Sequence, residues 1–241
     1  GGGFDGMSST IYGEPSKEHW LGTDYLGRDT MARLAKGAQV SLRVGLIVQA
    51  IALSLGILVG TIGTFAKKPI RVLLLRFTDS MFAFPDILLA MLIIGVWQMG
   101  ELPVIVALSI TAWPSVARLV VAQLATLKDR EYVVAARASG ASTFYVVTKH
   151  ILPQLWGILL AVSMVELAGT ILAESTLSFL GIGVQPPQPS WGNMIDSARS
   201  QLQAHPTQLL WPCLILSATI FALNFVGDGL RERLDPRSKS R

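Results

Sequence analysis

The chain has 241 residues, 51% of them hydrophobic and 15% charged, with a mean hydropathy of +0.50 and a formal net charge of +4. Soluble domains carry roughly 25% charged residues, and a soluble core could not take up this much apolar sequence and still leave a polar surface. Disorder is excluded because it needs low hydrophobicity and high charge, and a disulfide scaffold is excluded by the single cysteine, Cys213. An integral membrane protein remains, all-α and polytopic.

Residues 1–43 are polar, and the opening Gly1-Gly2-Gly3-Phe4-Asp5 does not read as a signal peptide. Val44 to Phe65 is an uncharged run of 22 residues, enough to cross a hydrocarbon core that takes about 20. Its glycines include the small-xxx-small pair Gly56 and Gly60, which suits close helix approach. Lys67, Lys68, Arg71 and Arg76 follow. A second span is expected at about Met81–Trp97, with Pro85 and Asp86 inside it, and a third at about Pro103–Leu127, with Pro114 and Arg118. Residues 128–150 are polar and of mixed charge. The fourth span, about Ile151–Leu172, contains Glu166. Residues 173–207 hold Gln185-Pro-Pro-Gln-Pro-Ser-Trp-Gly192, too rich in proline for a helix at its centre, and Trp191 suits a membrane interface. The fifth span is expected at about Leu209–Phe225, before a charged tail.

Five spans leave the termini on opposite sides. Assigned alternately, the loop at 66–76, the segment at 118–150 and the tail hold fourteen of the twenty Lys and Arg residues, so that side is expected to be cytoplasmic. This divides the chain into an extracytoplasmic segment 1–43, a transmembrane domain 44–226 with the cytoplasmic segment 128–150, and a cytoplasmic tail 227–241. Delivery of an external polar N-terminus without a signal peptide is simplest with one more helix upstream, so six spans are expected in all.

Catalytic signatures are missing. No His-Glu-x-x-His pattern, no Gly-x-Ser-x-Gly elbow and no phosphate-loop motif occurs. His19, His150 and His205 are far apart in sequence, which argues against a metal site. Basic and aromatic residues do not interleave as a nucleic-acid surface needs. An intramembrane enzyme is therefore disfavoured.

The most informative stretch runs from Lys128 to Pro153. Glu131 to Ser139 reads as a short helix with small residues Ala135, Ala136 and Ala138. Gly140 suits a left-handed C-cap, and Ser142 suits the N-cap of a second short helix. A helix–Gly–helix elbow fits docking into a groove on another protein, and it also fits an ordinary interfacial loop. Charges inside spans are costly and mark candidate pathways. Asp79 and Arg118 lie within reach of an interface, whereas Asp86, Glu166 and Glu174 are the candidates for a translocation path, with structural ion pairing as the competing role.

The Ala135, Ala136, Gly140, Leu152 and Pro153 spacing resembles the Glu-Ala-Ala loop of ABC importer permeases, with Val134 at the Glu position and His150 at the Ile position. His19-Trp-Leu-Gly-Thr-Asp-Tyr-Leu-Gly-Arg-Asp29, Ser178-Phe-Leu-Gly-Ile-Gly-Val-Gln-Pro-Pro-Gln-Pro-Ser-Trp-Gly-Asn193 and Asn224-Phe-Val-Gly-Asp-Gly-Leu-Arg-Glu-Arg-Leu-Asp-Pro-Arg237 resemble the second permease subunit of dipeptide, oligopeptide and nickel importers. The resemblance covers most of the chain. It implies the type I ABC importer permease fold and a location in the bacterial cytoplasmic membrane. The implied partners are a homologous second permease, two ABC ATPase subunits, an extracytoplasmic solute-binding protein and membrane lipid. It implies no cofactor on this chain, with ATP and Mg held by the ATPases. Tyr132, Ala135, Ala136, Arg137, Gly140 and Ala141 are then expected to form the ATPase interface. The solute is expected to be a peptide, nickel or a related small molecule. The rival is a stand-alone secondary transporter, which would often show an internal repeat; none is evident here.

Overall fold

The first helix begins well before the apolar run. In the computed structural model, which describes residues 3–234, the Asp29 side chain accepts the Ala32 N–H at 2.8 Å and so caps α1, Thr30–Phe65. Gly1, Gly2 and residues 235–241, with the expected tail cations Arg237, Lys239 and Arg241, lie outside the described residues. At 1.5 Å per residue α1 is about 54 Å long, longer than the hydrocarbon core, so its polar N-terminal turns extend past the apolar layer. One stripe of α1 is buried throughout: Val40, Val44, Val48, Ala52, Gly56 and Gly60.

The expected second span, about Met81–Trp97, forms only one helix, and the basic stretch before it, expected as a loop, forms another. α2 covers Lys68–Met81 and α3 covers Asp86–Val96, with a bend of 93° between them. The cause is Pro85. It offers no N–H, and its ring keeps Phe84 out of the helical region, so a helix cannot run through. α3 alone has 11 residues, about 16 Å, too short to cross. α4, Glu101–Leu127, matches the expected third span and keeps Pro114 in its interior.

The elbow forms as α5, Glu131–Ala138, and α6, Thr143–Val146. A π-helical turn at Val147–Ile151 links α6 to α7, Leu152–Phe179. Pro153 explains the wide turn, because its ring would strike the carbonyl of Lys149 in a regular helix. The Leu152 N–H reaches back to the carbonyl of Val147 instead. α8, Trp191–Arg199, lies within the proline-rich region, and α9, Pro206–Leu234, closes the bundle. α2 and α8 are the helices that sequence reading left out. Among the described residues, four helices are long and apolar enough to cross a membrane, and the bent pair makes a fifth crossing when its halves are counted together.

α1 packs most extensively on α4, and α7 on α9, with α1 also against α7. The α1·α4 seam is tight: a Cβ added at Gly56 would sit 2.5 Å from Val116 Cβ, and one at Gly60 would sit 2.7 Å from Val120 Cγ1. The ends of the bundle differ. One carries the elbow and the termini of α1 and α4. The other carries residues 3–29, α8 and the start of α9, joined by the Tyr12–His205 ring stack at 3.9 Å and the Gln208 Nε2 bond to the Thr23 carbonyl at 2.9 Å. Trp191 is not interfacial. It is 1% exposed, and its indole N–H donates to the Leu34 carbonyl at 3.1 Å, because a buried indole needs an acceptor and Gly37 leaves room for the ring beside α1.

Candidate functional site

The elbow is built by a complete Schellman closure. The Ala141 N–H bonds to the Ala136 carbonyl at 3.1 Å and the Gly140 N–H to the Arg137 carbonyl at 3.0 Å, with Gly140 at φ +84°. Ser142 then accepts the Tyr145 N–H at 3.2 Å and starts α6. Both local signals read from the sequence are in place.

Each short helix hides one side and shows the other. Val133, Val146, Val147 and Ile151 are buried in the cluster that also holds Leu124 of α4 and Leu155 of α7. The outer side is an open groove of about 760 Å³ lined by Tyr132, Ala135, Ala136, Gly140 and Ala141. Five of the six expected interface residues therefore share one surface. Arg137 is the exception: its guanidinium lies over the Phe65 ring, 5.8 Å from the centroid, and fastens the elbow to the end of α1. Sequence reading missed Tyr145 and His150, which also line the groove. His150 sits between Tyr145 and Tyr132, with ring centroids 5.7 Å and 6.4 Å away. Val134, at the position where the resembled loop carries Glu, is 53% exposed. Small residues on a firm apolar base thus form much of the groove.

A second concavity opens mid-bundle between α3, α4 and α7. It measures about 190 Å³, and Asp86, Thr111, Ser115, Glu166 and Thr170 supply its polar lining. Asp86 stands in the first turn of α3, where the helix dipole favours a carboxylate. The fold thus brings two of the three expected pathway residues together across 80 positions of sequence. It separates Glu174, which is 0% exposed. Its carboxylate accepts Ser41 Oγ at 3.0 Å and Ser178 Oγ at 2.7 Å, and Ser178 Oγ in turn accepts the Val184 N–H at 3.1 Å. One turn along, Gln49 donates to Thr170 at 2.9 Å. These bonds tie α1 to α7. The Asp79–Arg118 pair meets at 3.0 Å, with the guanidinium 3.9 Å from the Phe82 ring centroid at the bend between α2 and α3.

The model of the family described as "Binding-protein-dependent transport system inner membrane component" matches residues 52–240. Among curated proteins, the chain is 36% identical over 226 residues to the glutathione transport system permease protein GsiD of Pectobacterium atrosepticum, covering 94% of this chain and 75% of that protein. It is 37% identical over 223 residues to the oligopeptide transport system permease protein OppC of Bacillus subtilis, covering 92% and 73%. It is likewise 37% identical over 224 residues to the dipeptide transport system permease protein DppC of that organism, covering 92% and 70%. Among solved structures, a chain of the inward-facing MetNI methionine ABC transporter superposes with a TM-score of 0.70 at 19% identity, covering 85% of this chain and 97% of that one. A chain of an amino acid ABC transporter with histidines gives 0.65 at 16% identity, covering 84% and 94%. These two likenesses are ones of fold.

Proposed function

The chain belongs to the binding-protein-dependent inner membrane transport components, and from that premise we propose that it carries peptides or a related small solute and is driven through its elbow by ATPase subunits. It is a multi-pass permease subunit of an ABC importer and not an enzyme in its own right. The observation that carries the coupling reading is the elbow: a rigidly capped turn with a shallow, small-residue face outward and four buried aliphatic side chains inward. A push on α5 or α6 passes through Val133, Val146 and Ile151 into α4 and α7, because close-packed side chains transmit displacement. Closure of an ATPase dimer on ATP would bias the bundle between two arrangements.

The elbow end is assigned to the cytoplasm of a bacterial cell and the end bearing α8 to the outside, where a solute-binding protein would deliver the solute. The solute path is assigned to the cleft of Asp86 and Glu166, while the geometry of Glu174 supports a role in fastening α1 to α7. The exposed apolar faces of α3 and α9, with Leu92, Val96, Phe221 and Phe225 outermost, suit lipid and a homologous second permease. The test is purification of the tagged chain from its native host. ATPase subunits are expected to co-purify, and uptake in proteoliposomes is expected to stop without ATP. Uptake driven by an ion gradient alone, with no ATPase present, would overturn the reading in favour of a secondary transporter.

A further inference from the structure

At the end of the bundle opposite the elbow, two arginines are buried around the carboxylate of Asp24. Arg28 is 4% exposed, Arg33 is 6% exposed, and Asp24 lies between them. Asp24 is fully used. Its Oδ1 accepts the backbone N–H groups of Leu26 and Arg28, each at 2.9 Å. Its Oδ2 accepts Arg28 Nε at 2.8 Å and lies 2.8 Å from Arg28 Nη2. Arg33 is left with a 3.5 Å approach through Nε, and its Nη1 has no hydrogen-bond partner among the described residues. Beyond Asp24, the exposed Asp5 acts on Arg33 through charge alone, and a buried guanidinium with an unpaired donor is unfavourable unless an acceptor joins it.

The same two arginines line a cleft of about 210 Å³ together with Tyr25, Pro186, Asp196 and Ser197. We propose that this cleft, between the 22–33 stretch and α8, is a binding site for one carboxylate of a small solute, with Arg33 as its principal ligand. Charge selects the class. A monoanion supplies the acceptor that Arg33 lacks with the least added charge. A phosphate, at about −1.5 to −2, would be repelled by Asp24 and Asp196 more strongly than a carboxylate at −1. Shape agrees, because a guanidinium fork matches a planar carboxylate in a bidentate bond. The Tyr25 ring covers Arg28 from 5.2 Å and leaves Arg33 as the guanidinium with unused donors. The site lies outside both the elbow groove and the Asp86–Glu166 cleft, and it does not depend on which solute is carried.

The test is titration of the purified full chain in lipid nanodiscs with acetate, glycylglycine and glycylglycinamide, read by calorimetry and by thermal melting. Glycylglycine is expected to bind and to raise the melting temperature, and the amide is expected to do neither. Acetate competing with glycylglycine identifies a site for any free carboxylate. Glycylglycine binding that acetate does not displace identifies a site for the carboxylate end of a peptide-like solute. Arg33→Gln is expected to weaken glycylglycine binding at least tenfold without lowering the melting temperature of the unliganded protein, since it removes a buried charge with an unpaired donor. Equal binding of acid and amide, unchanged binding by Arg33→Gln, or no binding of any of the three probes would overturn the inference. ATP-driven uptake is a separate measurement, so the failure of this site would leave the permease reading standing.

Discussion

Single side chains divide the mid-bundle acids into two kinds. Glu166 and Asp86 face a common cleft, whereas Glu174 has both oxygens engaged by serine hydroxyls. Charge within a span is the signal that sequence offers for all three, and it cannot say whether a carboxylate meets a solute or a hydroxyl. That distinction depends on Ser41, 133 positions away in the chain. Arg137 shows the same limit: its place in the motif suggests the docking face, but Phe65 draws its guanidinium inward. The two roles separate experimentally. Glu166→Gln is expected to reduce uptake of an amine-bearing solute on the order of tenfold or more, the effect of losing one charge-assisted bond of about 1.5–3 kcal/mol, with little change in melting temperature. Glu174→Ala is expected to lower thermal stability, because it leaves the buried Ser41 and Ser178 hydroxyls without their acceptor, at about 1–3 kcal/mol. Unchanged uptake of several solutes by Glu166→Gln would remove that residue from the path.

Elements differ in how plainly they were written. The elbow was legible because its signals are local: Gly140 for positive φ, Ser142 for the cap, and Pro153 for the break that becomes a π-helical turn. α8 was hidden by the prolines that precede it, although the Ser190–Asn193 capping box marks its start. The bend between α2 and α3 was half legible. Pro85 announced it, but α2 is amphipathic rather than apolar and read as a basic loop. Two substitutions test the elements. Gly140→Val places a β-branched residue at φ +84°, costing roughly 1–2 kcal/mol, yet an added Cβ meets nothing within 4 Å. The bundle is therefore expected to fold with an altered elbow, and ATP-driven uptake is expected to fall about 5–30-fold while ATP hydrolysis by the assembled complex persists. Normal coupling in this variant would deny the elbow its role. Gly56→Leu acts on the helix seam instead. With Val116 Cβ only 2.5 Å from the added Cβ, α1 and α4 must separate, and a loss of about 1–3 kcal/mol is expected, measured as a lower melting temperature and accompanied by reduced uptake.

Across the whole molecule, the sidedness proposed for the protein rests on two independent distributions. Lys67, Lys68, Lys128, Arg130, Lys149 and Arg233 all fall at the elbow end. There the carboxyl end of α9 comes back to α7, with Leu234 close against Gly157. At the other end Arg28 is bound to Asp24, Arg43 is bidentate on Glu101 at 2.9 Å and 2.6 Å, and Arg199 pairs with Asp196 at 3.0 Å. Lys and Arg near span ends collect on the cytoplasmic side. Charge counting and packing thus point the same way, although neither was derived from the other. Labelling with a membrane-impermeant thiol reagent checks them together. In a Cys213→Ala background, Ser139→Cys at the tip of the elbow is expected to react only in inverted vesicles, and Ser8→Cys only in intact spheroplasts. Ser139 is exposed and its hydroxyl bonds only within its own helix, to the Ala135 carbonyl at 2.9 Å, so its replacement leaves the bundle undisturbed and the label reports side alone. Reaction of Ser139→Cys from the outer face would reverse the orientation and, with it, the assignment of the elbow to the ATPases.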